Sequence, residues 1–217
     1  MSRAPSLSGL ILAAGESIRM GTDKALLAWP PAGSAISGPP GQTFLSAAIR
    51  ALSPFTDVVT VVVGKNEQNL SQVIYATGAG LIRNPAPERG QFSSLQTGLR
   101  DVLNRGRDGA MITLVDRPPA SAATLQTLLT AFETALSAGK WMVVPENGGK
   151  HGHPVLVGRE MIEAFLRAPA NSTARDIEHQ NQQHIQYTAV DDPFVVSNVD
   201  TPQEYSALLS RVSSRLK

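Results

Sequence analysis

Apolar residues in this chain fall into short unbroken runs separated by longer stretches in which they recur at helical spacing. Residues 7–13, 58–63, 109–115 and 142–145 are runs of strand length, closed by Gly, Asp or Pro, and such runs predict strands covered on both faces. Shorter strands are expected at 81–84, 155–157, 186–190 and 194–196. Between them, Phe44, Leu45, Ala48, Ile49 and Leu52 follow Thr43 as a cap and precede Pro54, which predicts a helix. Helices are likewise expected at 67–76, from about Gly90 through Leu103, at 121–137, at 160–166 and after Pro202. Residues 146–150 and 179–184 read as polar turns, and the Pro, Gly and Ser of 30–41 as a surface excursion. Strand and helix alternate throughout. The expected fold is therefore α/β, a three-layer α/β/α Rossmann-like arrangement on a mostly parallel sheet, as a single domain over 1–217. Ligands of such sheets collect at the carboxyl ends of the strands.

Composition narrows the function classes. With 217 residues, 42% hydrophobic and 17% charged, the chain is globular in character, and no apolar run approaches the length of a membrane span. The first residues carry no apolar leader segment, which favours the cytoplasm. There is no Cys, so thiolate chemistry and disulfides are excluded. A net charge of +1 with dispersed basic residues points to no nucleic-acid surface and no membrane surface.

The chemistry concentrates where the first strand ends. Ala13, Ala14 and Gly15 close it with small side chains, and Gly21 follows within a few residues. Phosphate groups approach backbone amides closely only where Cβ atoms are small or absent. Arg19 adds a planar fork of donors for phosphate oxygens and Lys24 a compact point charge. The loop is neither a Walker P-loop nor a dinucleotide fingerprint. Asp116, at the end of another strand, suits either a magnesium ion or the cap of the helix that starts near Pro118 and Ser121. Ser93 and Ser94 stand at a helix start, where polar ligands bind and where Ser93 suits an ordinary cap. Asp200 is a second carboxylate, or the cap of the last helix. His151 and His153 lack the partners of a zinc site and read as a turn.

The run Leu12-Ala-Ala-Gly-x-Ser-x-Arg-Met-Gly-x-x-Lys24 resembles the signature loop of the MobA-like nucleoside triphosphate transferases, nearest their molybdenum cofactor cytidylyltransferase branch. The resemblance extends through Gly-x-x-x-Ser-Leu-x-x-Gly at Ser94, Asp-x-Pro at Asp116, Gly-His-Pro at His153 and Asp-Thr-Pro at Asp200. It implies the nucleotide-diphospho-sugar transferase fold, also described as glycosyltransferase-A-like. It implies that Leu12, Ala13, Ala14, Gly15, Ser17, Gly21 and Ser94 bind the nucleotide, and that Arg19, Lys24 and Asp116 are catalytic. Asp116 and Asp200 would hold Mg2+, while His153 and Arg175 would meet the acceptor.

The implied activity is transfer of a nucleoside monophosphate from CTP, with GTP as the alternative, to a phosphorylated small molecule such as molybdopterin, releasing pyrophosphate. A molybdoenzyme or its chaperone is the implied protein partner. Three departures stand out. Asn198 replaces an Asp, Arg117 replaces a Gln, and residues 171–175 retain only Ala174 and Arg175 of the branch's Gly-Asp-x-Gly-Ala-Arg. These leave open a sugar or polyol phosphate as acceptor, and also a nucleotide-binding regulatory module without turnover.

Overall fold

Strand β1 (Leu7–Leu12) takes the middle of the sheet because all six of its residues are buried. It lies parallel to β2 (Val58–Val63) on one side and to β4 (Gly109–Leu114) on the other, and β3 (Gly80–Arg83) extends the parallel set beyond β2. On the far side of β4 the direction reverses. Strand β7 (Val155–Gly158) runs antiparallel to β4, and β5 (Met142–Asn147) pairs with β7. Strand β5 also pairs with the short β6 (Lys150–His151) and, in parallel, with β8 (Ile185–Ala189). This computed structural model describes residues 5–30, 38–39 and 41–214, so most of the expected excursion at 30–41 lies outside the described residues.

The two-residue period of the strands sorts the core into two layers. Leu7, Ile11, Val61, Val63, Met111, Val143 and Leu156 face one side. There they meet α1 (Phe44–Leu52), α2 (Glu67–Ala76) and α4 (Ala122–Ser137) through Leu45, Ile49, Leu70, Ile74, Leu125 and Phe132. Leu10, Leu12, Val62, Ile112, Met142, Val144 and Val157 face the other side. They pack on α3 (Gln91–Asn104), α5 (Arg159–Arg167) and α6 (Ala174–Gln180). A third cluster joins Trp29, Phe44 and Val199 to Leu208 and Val212 of α7 (Pro202–Ser214), so the last helix packs beside the segment that follows the loop after β1. No helix among the described residues is long and apolar enough to cross a membrane.

Three expectations are corrected. Residues 194–196, expected as a strand, form a 3-10 turn over Pro193–Val196, because Asp192 accepts from the Phe194 amide at 3.0 Å and Pro193 has no amide to give a sheet. Part of 179–184 is helical rather than a turn. Thr173 and Asp176 cap each other's backbone in a reciprocal box and start α6, whose one buried residue, Ile177, left almost no periodic signal. Finally, 146–150 is not wholly turn: β5 and β6 continue into it, and the reversal is confined to Gly148 and Gly149, both at positive φ.

Asp192 escaped the sequence reading, yet it ties three segments together. Only 5% exposed, it accepts from the Ser121 amide at 2.8 Å and the Thr124 hydroxyl at 2.9 Å, as well as from Phe194. Replacing it with Ala strands buried donors at the start of α4. Asp192→Ala is expected to lose roughly 2–4 kcal/mol of stability in chemical denaturation, against less than about 1 kcal/mol for an exposed control such as Asp191→Ala.

Candidate active site

The register of the central strands sets the site. Leu12 lies opposite Val62 on one side and Leu114 on the other, so three parallel strands end level with one another. The chain after Leu12 therefore emerges beside the chain after Leu114. The loop is held from below by Asn66, whose amide donates to the Ala13 carbonyl at 2.9 Å and to Asp23 at 2.8 Å, while its oxygen accepts from the Gly64 amide. Position 64 admits no side chain, since a Cβ there would stand 2.7 Å from the Ala14 carbonyl oxygen. Ser17 adopts φ 52° and accepts from the Lys24 amide at 3.1 Å, and Gly21 at φ 70° closes the intervening 3-10 turn. The sequence reading assigned no role to Asn66 or Asp23.

These constraints bring most of the expected residues to one place. Leu12, Ala14, Gly15, Ser17, Lys24, Ser94 and Asp116 line one cavity of about 210 Å³. Ala13 is buried behind it, with its amide donating to Val62. Lys24 Nζ stands 2.5 Å from Asp200 Oδ1 and 3.5 Å from Asp116 Oδ2, and Arg19 reaches Asp200 at 3.3 Å from an exposed position. The Lys24 hydrogen bond holds the Asp200 carboxyl below its ordinary range. Asn198, the departure from the family pattern, donates to the other Asp200 oxygen at 2.9 Å and so orients it.

The capping alternatives are taken by other residues. Ser121 caps α4 and leaves Asp116 free of that task. At α7, Thr201 and Glu204 satisfy each other's backbone amides. Glu204 also accepts from the Asp200 amide, so the Asp200 side chain is not the cap. At α3, Gly90 occupies the cap position and Ser93 donates to its carbonyl. Ser94 is buried and accepts, as Ser93 does, from Asn84, which had read only as the end of a strand.

Two features meet the needs of a hard divalent cation. Asp116 and Asp200 supply carboxylate oxygens within reach of one ammonium, and Asp116 Oδ1 is buried with no hydrogen-bond partner. Among the described residues no cluster of three or more His, Asp or Glu is found, so further ligands would come from substrate phosphates and water. Arg117 serves the scaffold. Its guanidinium donates to the carbonyls of Val195 and Ser197 at 3.3 and 3.5 Å, and the Val199 amide donates to the Asp116 carbonyl at 2.8 Å. Together these bonds fasten the segment that carries Asp200 to the end of β4.

A second cavity, about 400 Å³, adjoins the first and shares Leu12, Gly90, Gln91 and Leu114 with it. Its walls are largely apolar, from Phe92, Leu95, Ile112, Met142 and Phe165, with His153 and Glu178 among them. Burial pushes the Glu178 carboxyl up, and the charge of Arg175 opposes that shift. Arg175 itself is exposed on α6 and lines neither cavity. Gly152 has a packing reason as well, since a Cβ there would stand 2.1 Å from the Val195 carbonyl oxygen. His151 points elsewhere, pairing with Glu146 at 3.4 Å and stacking on Tyr187.

Residues 9–185 match the MobA-like NTP transferase domain. The chain belongs to this family. It is 26% identical to a probable molybdenum cofactor guanylyltransferase of Mycobacterium avium, over 96% of this chain and 98% of that one. A protein of the same description from Rhodopirellula baltica is 30% identical over 59% of this chain and 56% of its own length. In fold it is similar to Rv0371c of Mycobacterium tuberculosis, with a TM-score of 0.74, 22% identity and coverage of 94% and 98%. A manganese complex of Rv0371c aligns with a TM-score of 0.69 and 21% identity, over 95% of this chain and all of that one.

The MobA-like cleft makes one histidine acid-sensitive. Burial, helped by the Arg117 charge and opposed by the Ile112 carbonyl, lowers His153 from 6.5 to about 3. The unfolded chain therefore takes up this proton first. His153 costs nothing above its ordinary value and destabilises the fold progressively as pH falls from about 6.5 toward about 3. Between about pH 7 and about pH 4, wild type is expected to lose about 3 kcal/mol more stability than His153→Gln, measured by denaturation at each pH.

Proposed function

We propose that the protein transfers a nucleoside monophosphate from CTP to a phosphorylated acceptor, molybdopterin in the first instance, releasing pyrophosphate. The observation that carries this reading is the convergence of a small-residue loop, two cations and two carboxylates at one end of three parallel strands. An acceptor phosphate oxygen attacks the α-phosphorus, a new P–O bond forms, and the bond to the bridging oxygen breaks as pyrophosphate leaves. The acceptor phosphate is already ionised at neutral pH, so no protein base is required. The work of the chain is alignment of attacking and leaving oxygens and neutralisation of charge on the α-phosphate and pyrophosphate.

In this reading Ala14, Gly15 and Ser17 present backbone to the phosphates, and Arg19 and Lys24 neutralise them. Ser94, held by Asn84, faces the ribose or base. Asp116 and Asp200 would hold Mg2+, whose chemistry when bound is Lewis-acid polarisation of the phosphoryl oxygens. The apolar cavity beside His153 takes the body of the acceptor. GTP is the second reading, favoured by the guanylyltransferase descriptions of the relatives and by the Thr-Asp-Lys24 sequence of the loop.

Pyrophosphate release, measured for CTP, GTP, ATP and UTP with magnesium or manganese across phosphorylated acceptors including molybdopterin, tests this. One triphosphate with one acceptor is expected to give turnover, reduced at least about 100-fold in Asp116→Ala. Triphosphate binding without release from any pair would instead identify a regulatory nucleotide-binding module.

A further inference from the structure

The Lys24 ammonium stands where the two candidate metal-binding carboxylates face one another. Its side chain is 12% exposed, and its Nζ contacts Asp200 Oδ1 and Asp116 Oδ2. A divalent ion using those oxygens would face this ammonium at contact distance and would have to displace it. Arg19 adds a second positive charge on Asp200. Two carboxylates thus face these two cations, with the Arg117 guanidinium acting on both as well, and the cluster has no net negative charge with which to attract a free ion. Divalent affinity rises with the uncompensated charge of the ligand set.

The same lysine lines the phosphate cavity together with Gly15 and Ser17. Its backbone is fixed, since its amide donates to Ser17 and its carbonyl accepts from Leu27. The four-carbon stem beyond the backbone is the flexible part of the residue. A triphosphate in the loop offers the ammonium a partner of higher charge than a single carboxylate. Once the ammonium turns to it, the Asp116 and Asp200 oxygens are released.

We propose that Lys24 is a charge gate: it neutralises Asp116 and Asp200 in the free protein and yields them to a divalent ion only when a nucleoside triphosphate draws it away. Metal and nucleotide then enter together, and free metal binds poorly. This rests on reading the cleft as a triphosphate site, but its central claim concerns the protein and the metal alone.

The test is titration of Mn2+ without nucleotide, followed by electron paramagnetic resonance of the free ion, on wild type, Lys24→Met and Lys24→Gln, each checked for folding by circular dichroism. Both variants are expected to bind Mn2+ at least about tenfold more tightly than wild type, because the carboxylates lose their counter-ion. The gain should disappear in Lys24→Met/Asp200→Asn, which places the ion at these carboxylates. Equal or weaker Mn2+ binding by folded Lys24→Met and Lys24→Gln overturns the gate. So does a gain that survives loss of Asp200.

A second arm adds CTP or GTP carrying a non-hydrolysable α,β-methylene bridge. In wild type the nucleotide should tighten Mn2+ binding by a larger factor than in Lys24→Met, where there is no gate left to open. An equal or larger factor in the variant also counts against the proposal. If neither nucleotide binds wild type, the triphosphate reading fails, and with it the opening step. The metal-only arm still decides separately whether Lys24 excludes the ion.

Discussion

Parallel pairing of β1 with β2 and β4 in matched register is the constraint on which the rest of this molecule depends. With Leu12 level with both Val62 and Leu114, the loop after β1 and the Asp116 turn leave the sheet side by side. Neither segment has a partner within its own stretch of sequence capable of holding it there. Burial of all six β1 residues fixes the register, because a shift of one residue would turn each side chain toward the opposite layer. The apolar core therefore positions the charged site.

The second carboxylate arrives by a different route. Asp200 comes from a segment with no strand of its own, fastened to β4 by the Val199 amide and the Arg117 guanidinium. Gly152 lets that segment lie directly against the chain before β7. The outcome is an ion-pair cluster drawn from three distant parts of the chain. Lys24 is its least exposed member and contacts both carboxylates, so the charge balance of the cluster depends on this side chain more than on the exposed Arg19.

The two adjoining cavities divide the labour by polarity. One is lined by loop backbone, Lys24, Ser17, Ser94 and Asp116 and is polar and charged. The other is walled largely by Phe92, Leu95, Ile112, Met142 and Phe165, with the buried, neutral His153 at its side and Glu178, whose carboxyl burial pushes up, among its polar groups. The two cavities share the wall at Leu12 and Leu114, so they form one continuous cleft at the ends of the central strands.

What the sequence determined by itself was local and periodic. The strands at β1, β2 and β4, the helices with a full apolar stripe, the small-residue loop and its two cations were legible because burial on both faces and close backbone approach each restrict the residues allowed nearby. Elements held by a single buried residue, such as α6, or by one polar side chain, such as the turn after Asp192, left no comparable pattern. Only the tertiary structure decided whether Ser93, Asp116 and Asp200 were caps, because a cap and a ligand-facing residue have the same side chains at the same kind of position. The answer depended on Ser121, Gly90, Thr201 and Glu204 taking the capping positions. The same holds for Asn66, Asn84 and Arg117. The hydrogen bonds of Asn66 and Arg117 reach elements far apart in sequence, and Asn84 reaches across a turn to Ser93 and Ser94; such contacts exist only after the chain has folded.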